Sequence, residues 1–311
     1  MAESSKINIG LIGLGGIAQK AYLPILANHA KVNPILCTRN SQLLNQLSNQ
    51  YRIKEIYTNV DELLKTKIDA AMVHSSTESH FEIVSKLLNA GIPVFVDKPL
   101  TYSINESEEL LNLASQKRIL LYLGFNRRFA PLIQSLADQL NPIQILWQKN
   151  RVNLPGDSRA FIFDDFIHVI DSLRFLGQGE IKNLHVFSRF QNNALESIQV
   201  QWQQNETLLS GIMNRISGIT EERVEYYTPG NKWLIEDLTS GWHYEKENKN
   251  TIGFGNWKNT LYKRGFVNMI EDWLNVLQNG NFDSNRIQDI WETHHLCESI
   301  LGKISIAESN L

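Results

Sequence analysis

The stretch Ile7-Asn8-Ile9-Gly10-Leu11-Ile12-Gly13-Leu14-Gly15-Gly16-Ile17-Ala18 decides how the rest of the chain is read. Its apolar residues Ile7, Ile9, Leu11 and Ile12 predict a short strand that runs straight into Gly13-x-Gly15-x-x-Ala18, ahead of a helix-competent segment. Strand, tight glycine turn and helix N-terminus together make a cradle for a pyrophosphate. Gly13 permits the turn, Gly15 lets the backbone approach phosphate, and Ala18 lets the helix pack close to the strand. Unpaired helical N–H groups and the helix dipole hold the anion.

Working outward, 311 residues give room for two domains with a sizeable core. A formal charge of -3 argues against a general nucleic-acid binder, which normally carries a basic excess. The two cysteines, Cys37 and Cys297, are too few for a disulfide framework, which points to a reducing compartment and to both being buried small hydrophobes. No apolar run approaches the length of a membrane span, and the polar start Met1-Ala2-Glu3-Ser4-Ser5 is not a signal peptide. No membrane partner and a cytoplasmic location are the resulting expectations.

Up to residue 124 the pattern alternates strands (7–12, 32–38, 70–74, 94–96, 120–124) with amphipathic helices (17–28, 41–50, 60–65, 80–89, 104–117). Such alternation predicts parallel strands, right-handed crossovers and a doubly wound Rossmann sheet, an α/β domain over residues 1–124. Ser103 with Glu106 resembles a capping box, and Gly91-Ile92-Pro93 stops the fourth helix. Residues 125–311 predict a second, α+β domain. It has a helix over 131–139, a strand over 143–149, a loop at Pro155-Gly156 and a helix over 163–176 closed by Gly177. Long alternating strands then run to about Glu245, and helices over 266–279 and 287–304 finish the chain. Long hairpin-joined strands predict a mostly antiparallel sheet.

Four clusters carry candidate chemistry. The first, Val73 to His80, places small polar residues Ser75, Ser76 and Thr77 at the carboxyl end of a parallel strand, where ligands of open α/β sheets bind; its plainer reading is a helix cap. The second, Val96-Asp97-Lys98-Pro99-Leu100, presents a lysine at a strand end, alone no more than a surface cation. The third, Gly124-Phe125-Asn126-Arg127-Arg128-Phe129-Ala130-Pro131, carries an arginine pair that is equally readable as a tie between domains. In the fourth, Asp164 and His168 stand four apart and share a helix face, so a carboxylate is placed to orient a proton-transferring imidazole. Asp171, one turn on, competes as the partner of His168.

In that order, fingerprint, small-polar loop with His80, Asp-Lys-Pro, Gly-Phe-Asn-Arg-Arg-Phe and Asp-x-x-x-His, the chain resembles the Gfo/Idh/MocA oxidoreductases over nearly its whole length. Gly-Leu-Gly-Gly-Ile-Ala-Gln-Lys-Ala, His-Ser-Ser-Thr and Val-Asp-Lys-Pro-Leu look most similar to MviM-type members. Where the family commonly has Glu-Lys-Pro, this chain has Asp97-Lys98-Pro99, which keeps the charge and the lysine. The resemblance implies hydride transfer between a nicotinamide and a sugar-like or other small hydroxyl or carbonyl substrate. Lys98 then polarises the reacting oxygen, His168 is general acid/base, and Asp164 orients it or touches substrate. It implies a cofactor site formed by Gly13, Gly15, Gly16, Ile17, Thr38, Arg39, Ser75, Ser76, Thr77, His80, Asp97, Lys98 and Asn126, and a homo-oligomer, dimer or tetramer.

The residues after the second strand, Cys37-Thr38-Arg39-Asn40-Ser41, lack the carboxylate that reads the ribose hydroxyls of NAD, while Arg39 can pair with a 2′-phosphate; NADP is therefore preferred over NAD. Two other readings compete: a cofactor-binding sensor that does not turn over, and a glycosidase using tightly held NAD. The presence of Lys98, Asp164 and His168 weighs against the first, and Arg39 against the second. His294, His295 and Cys297 lack a clustered fourth ligand, so no metal is expected. Trp202, Trp233, Trp242 and Trp257 read as core or subunit-interface residues.

Overall fold

The computed structural model describes residues 6–280 and 282–309, with side chains described to Ile304; the polar start at residues 1–5 lies outside that range. Contacts divide the chain into two compact units. One comprises the residues up to Gly124 together with Met269–Trp291, and the other Phe125–Asn268 together with the residues from Glu292 onward.

The first unit is a six-stranded parallel sheet in the order β3-β2-β1-β4-β5-β6, with β1 Ile7–Ile12, β2 Val32–Cys37, β3 Ile56–Tyr57, β4 Ala70–Val73, β5 Val94–Val96 and β6 Leu121–Leu123. Strands covered on both faces lose the polar half of their alternation, which is why Ala70 to Val73 and Val94 to Val96 are all fully buried. Parallel pairing opposes Ile12 to Cys37 and Val73, Val73 to Val96, and Val96 to Leu123. The residues that follow, Thr38, Gly13, His74, Asp97 and Gly124, therefore emerge in one row along the carboxyl edge. The strand order reverses between β1 and β4, so the crevice of a doubly wound sheet opens beside Gly13. Below it an aromatic cluster fills the core, with Phe95 5.3 Å from Tyr122 and 5.6 Å from Trp273 between ring centroids. The Tyr122 hydroxyl donates to Asp272 at 2.7 Å.

The second unit is an eight-stranded sheet in the order β14-β13-β12-β11-β7-β10-β9-β8, antiparallel at every pairing except β7 with β10. Its strands are β7 Gln144–Asn150, β8 Ile181–Gln191, β9 Ala194–Gln204, β10 Thr207–Asn214, β11 Glu221–Thr228, β12 Asn231–Glu236, β13 Ser240–Glu245 and β14 Asn248–Gly253. Helical residues run without a break from Ser158 through a wide π-turn, Phe161–Phe166, to Gly177. That helix lies against the sheet at Gly211, where an added Cβ would meet Val169 and Leu173 side chains at 3.0 and 3.1 Å.

Several details depart from the sequence reading. The helix expected from residue 163 starts at Ser158, capped by Asp157, whose carboxylate accepts from the Ala160 N–H at 3.0 Å. The strands continue to Gly253, beyond the expected end near Glu245, because β14 is an edge strand whose largely exposed residues show no apolar alternation. At the end of the long helix, positive φ falls on Gln178 (53°), and Gly177 is there for space: a Cβ on it would lie 2.7 Å from Leu209 and 2.8 Å from Gln204. Of the four tryptophans, Trp202 is buried, whereas Trp257 is fully exposed and so is no core residue. Cys37 and Cys297 are both buried free thiols, as expected of two cysteines too few for a disulfide framework.

Candidate active site

At the carboxyl edge of the parallel sheet, Gly13 has φ +83° and lies so close to the loop after β4 that a Cβ would sit 2.4 Å from the Ser75 nitrogen. Both the turn and the close approach demand glycine. Gly15 and Gly16 differ: each is exposed, and a Cβ on either would meet nothing within 4 Å. The helix they open has no side-chain cap on its first N–H groups. Ala18, 1 % exposed, seats this helix against the strand, and the Gln19 side chain closes the turn on the Leu14 carbonyl at 2.7 Å. Room, uncapped donors and the positive end of a helix suit a dinucleotide pyrophosphate.

The other sequence-predicted cofactor residues of this unit line the same edge. Thr38 follows β2, its N–H bonded to the Tyr57 carbonyl at 3.1 Å, and Arg39 is exposed beside it. No carboxylate occupies this turn; Asn40 turns away to cap the next helix through the Leu43 N–H at 3.0 Å. After β4, Ser75 accepts a bond from Ser79 at 2.7 Å, while Ser76 is exposed and Thr77 half-buried. His80 is 1 % exposed, and its ring spans the carbonyls of Pro99 (3.0 Å), Leu100 (3.2 Å) and Ser75 (3.1 Å). Its nitrogens are thus spent joining the loop after β4 to the loop that carries Lys98, so it shapes the edge.

Asp97 accepts from the buried Tyr22 hydroxyl at 2.9 Å. Burial raises the Asp97 carboxyl above the usual carboxylate value, opposed by the neighbouring Lys98 ammonium and the Tyr22 bond. Lys98 is half-buried at the head of a cis peptide to Pro99. Sequence reasoning passed over His74, the residue directly after β4. It stacks on Tyr22 with centroids 4.0 Å apart, and neither ring nitrogen has a hydrogen-bond partner. Burial, then the neighbouring His80, lowers its pKa to about 3, so it is a neutral apolar plate at working pH.

In the second unit, Asp164 and His168 are both half-buried while Phe163, Asp165, Phe166 and Ile167 around them are buried. On the π-turn and the helix after it, these two residues stay partly exposed among buried neighbours. Asp171, the alternative partner for His168, accepts from Arg128 at 2.9 and 2.5 Å and from Thr293 at 3.2 Å, and is 1 % exposed. Arg127 makes a two-bond pair with Glu222 at 2.6 and 2.8 Å, completed by the Trp147 indole at 3.0 Å. Both arginines of the third cluster thus brace the second unit. Asn126, expected at the cofactor, is 5 % exposed in this unit and donates to the Arg264 carbonyl at 2.8 Å.

Asp165, the neighbour of Asp164, is the hub of a buried ionic cluster that no local pattern in the chain signals. Lys149 and Arg151 both bind it, and Arg215 lies 3.4 Å away. Those cations hold its carboxyl well below the usual range despite its burial. Among the described residues no group of three or more His, Cys, Asp or Glu is placed to hold a metal ion, and no helix is long and apolar enough to cross a membrane.

Comparison with known proteins fits this construction. Residues 7–125 match an oxidoreductase family with an NAD-binding Rossmann fold, and residues 131–247 match the YceM-like C-terminal domain. The oxidoreductase YceM of Salmonella typhimurium is 35% identical over 282 residues, covering 88% of this chain and 90% of that protein. A Gfo/Idh/MocA family oxidoreductase from Vibrio cholerae superposes with a TM-score of 0.93 at 36% identity, over 98% of this chain and 100% of the other. The dehydrogenase MviM from Clostridium difficile superposes at 0.87 with 30% identity, over 96% and 99%. A shorter match joins 40% of this chain to 37% of the myo-inositol 2-dehydrogenase of Thermotoga maritima, at 30% identity. A glycine turn that only glycine can make, an open cradle beyond it, and relatives matched from end to end place this chain in the Gfo/Idh/MocA family of oxidoreductases.

Proposed function

We propose that this protein is an NADP-dependent dehydrogenase or reductase acting on a polyhydroxylated small molecule. The observation that carries this reading is the open cradle at Gly15 and Gly16, followed along the same edge by an exposed arginine and no carboxylate where the adenosine ribose is read. When bound, the nicotinamide supplies or accepts the hydride. Gly13, Gly15, Gly16 and Ile17 hold the pyrophosphate, Thr38 and Arg39 the 2′-phosphate end, and Ser75, Ser76, Thr77 and Asp97 the remainder. The Lys98 ammonium stabilises the negative charge that develops on the substrate oxygen. His168 takes the hydroxyl proton in oxidation and returns one in reduction, worth roughly 10²–10⁴ in rate, with Asp164 fixing the imidazole. A polyol or sugar-like substrate is the class suggested by the inositol dehydrogenase relative.

Two experiments test this. Arg39→Ala raises the Michaelis constant for NADPH by tenfold or more and leaves that for NADH nearly unchanged; equal effects remove Arg39 from this role. Lys98→Ala and His168→Ala each lower kcat by about 10² or more, with the double variant far from additive, as groups serving one transition state behave. Full turnover by either single variant on a sugar, polyol and aldehyde panel, followed at the NADPH absorbance band, refutes the assignment.

A further inference from the structure

β7 and β10 run parallel with Asn150 opposite Asn214, so Arg151 and Arg215 leave the sheet side by side; the Arg151 N–H donates to the Asn214 carbonyl at 2.8 Å. Both guanidinium groups turn to Asp165, the residue next to Asp164. Arg151 grips it with two bonds, Nε to Oδ2 at 2.9 Å and Nη2 to Oδ1 at 3.0 Å, and Arg215 Nη2 lies 3.4 Å from Oδ2. The Lys149 ammonium binds the same carboxylate. One buried carboxylate is thereby shared among three cations. Of the other acids nearby, Glu222 is committed to Arg127, Glu221 to Asn150 at 2.7 Å, and Glu196 to Arg189 at 3.0 Å, while the Asp164 carboxylate also acts on Arg215.

Donors are left over. Arg215 is 7 % exposed, its plane is held over the Phe161 ring at 4.3 Å, and its buried Nε has no acceptor. An unmet charged donor in a buried position is costly, and such groups mark places where a partner is missing. The Arg151 side chain, by contrast, keeps 30 % of its surface exposed, which makes it the reachable member of the pair. Planar guanidinium groups set side by side suit an oxyanion rather than a neutral hydroxyl.

We propose that Arg151, backed by Arg215, is an anion subsite beside Asp164, and that the substrate carries a carboxylate or a phosphate in addition to its hydroxyl groups. This rests on the reading of Asp164 and His168 as the substrate-handling face, and it narrows the substrate to acidic sugars, acidic polyols or their phosphate esters. Recognition of the anion in this way discriminates against the neutral parent molecules, which leave the arginines without an acceptor.

The test uses the full chain and matched probes: glucose, glucuronate and glucose 6-phosphate, each titrated calorimetrically in low and in high salt and, separately, assayed for hydride transfer with NADPH or NADP. At least one acidic member binds tenfold or more tighter than glucose, the preference shrinks in high salt, and Arg151→Gln removes it while Arg151→Lys keeps part. The same acidic probe shifts the Arg Nε–H resonance of Arg151 or Arg215 in NMR spectra, and glucose does not. Whether glucuronate or the phosphate gives the larger effect separates carboxylate from phosphate. Equal binding of acidic and neutral members, no binding by any of them, or a preference that survives Arg151→Gln overturns the subsite. Charge-selective binding without any hydride transfer keeps the subsite and defeats the dehydrogenase reading; turnover of neutral and acidic sugars alike does the reverse.

Discussion

Gly13 and Gly15 stand two residues apart in one motif and answer to different constraints. At Gly13 both the left-handed backbone and the Ser75 nitrogen 2.4 Å from any Cβ exclude a side chain. At Gly15 the polypeptide itself leaves room for a side chain, and under the proposed function a bound phosphate would be what excludes one. Gly13→Ala is therefore expected to lower unfolding stability by at least about 2 kcal/mol, from left-handed strain plus collision. Gly15→Ala is expected to change stability by less than about 0.5 kcal/mol while weakening NADPH binding at least tenfold. Urea unfolding and a fluorescence titration on both variants separate the two constraints; a Gly15→Ala protein with unaltered NADPH affinity defeats the cradle assignment. Adjacent carboxylates make a similar contrast. Asp164 and Asp165 look alike in sequence, and only the cations on β7 and beside β10 sort one into the interior and leave the other on the displayed face. That sorting depends on residues 14 to 50 positions distant in the chain. Local pattern carries no trace of it, and for the same reason His74 passed for an ordinary strand end.

Elements were legible in proportion to how much of their face they bury. The parallel strands read directly, since a run such as Ala70-Ala71-Met72-Val73 has no other comfortable place than between two layers. β3, two residues long, offers no period to detect, and β14 carries too little apolar surface to advertise itself. The end of the long helix shows how a correct expectation can rest on the wrong cause. Gly177 does sit at the helix terminus, yet the backbone there has helical geometry, and the unusual conformation (φ 53°, ψ 150°) is borne by Gln178. Gln178→Gly should accordingly stabilise the protein by about 1 kcal/mol, because only glycine adopts that conformation cheaply. Gly177→Ala should destabilise by about 1–3 kcal/mol through overpacking against Leu209 and Gln204. Thermal unfolding of the pair checks both signs, and a stabilised Gly177→Ala would show that the contact yields.

At the scale of the molecule, each unit carries a buried group that makes stability depend on acidity. His74, in the first unit, has its pKa lowered from 6.5 to about 3 by burial, so below pH 6.5 the unfolded chain takes up a proton that the folded chain refuses. Stability from this source is intact above pH 6.5 and falls at about 1.4 kcal/mol per pH unit as the pH drops toward 3. His74→Phe removes that loss, and relative to the wild type it should gain roughly 2 kcal/mol on going from pH 8 to pH 5. Glu222, in the second unit, is held at about 2, against 4.5, by Arg127 despite its burial. Its contribution is complete above pH 4.5 and disappears as the pH falls toward 2. Glu222→Gln should cost about 3–5 kcal/mol at neutral pH, because Arg127 stays buried without its counter-charge, and should flatten the loss below pH 4.5. Unfolding series across pH read both windows; a His74→Phe protein whose stability tracks the wild type at every pH contradicts a neutral buried ring.

Residues 269–291 belong by their contacts with the part of the chain that ends at Gly124, and they bring Trp273 to Phe95 and Asp272 to Tyr122. The nucleotide-holding half is consequently not a segment that scissors can free. A fragment stopped after Gly124 exposes the aromatic face that Trp273 covers and strands the Tyr122 hydroxyl. During synthesis the same half stays incomplete until residues 269–291 have been made.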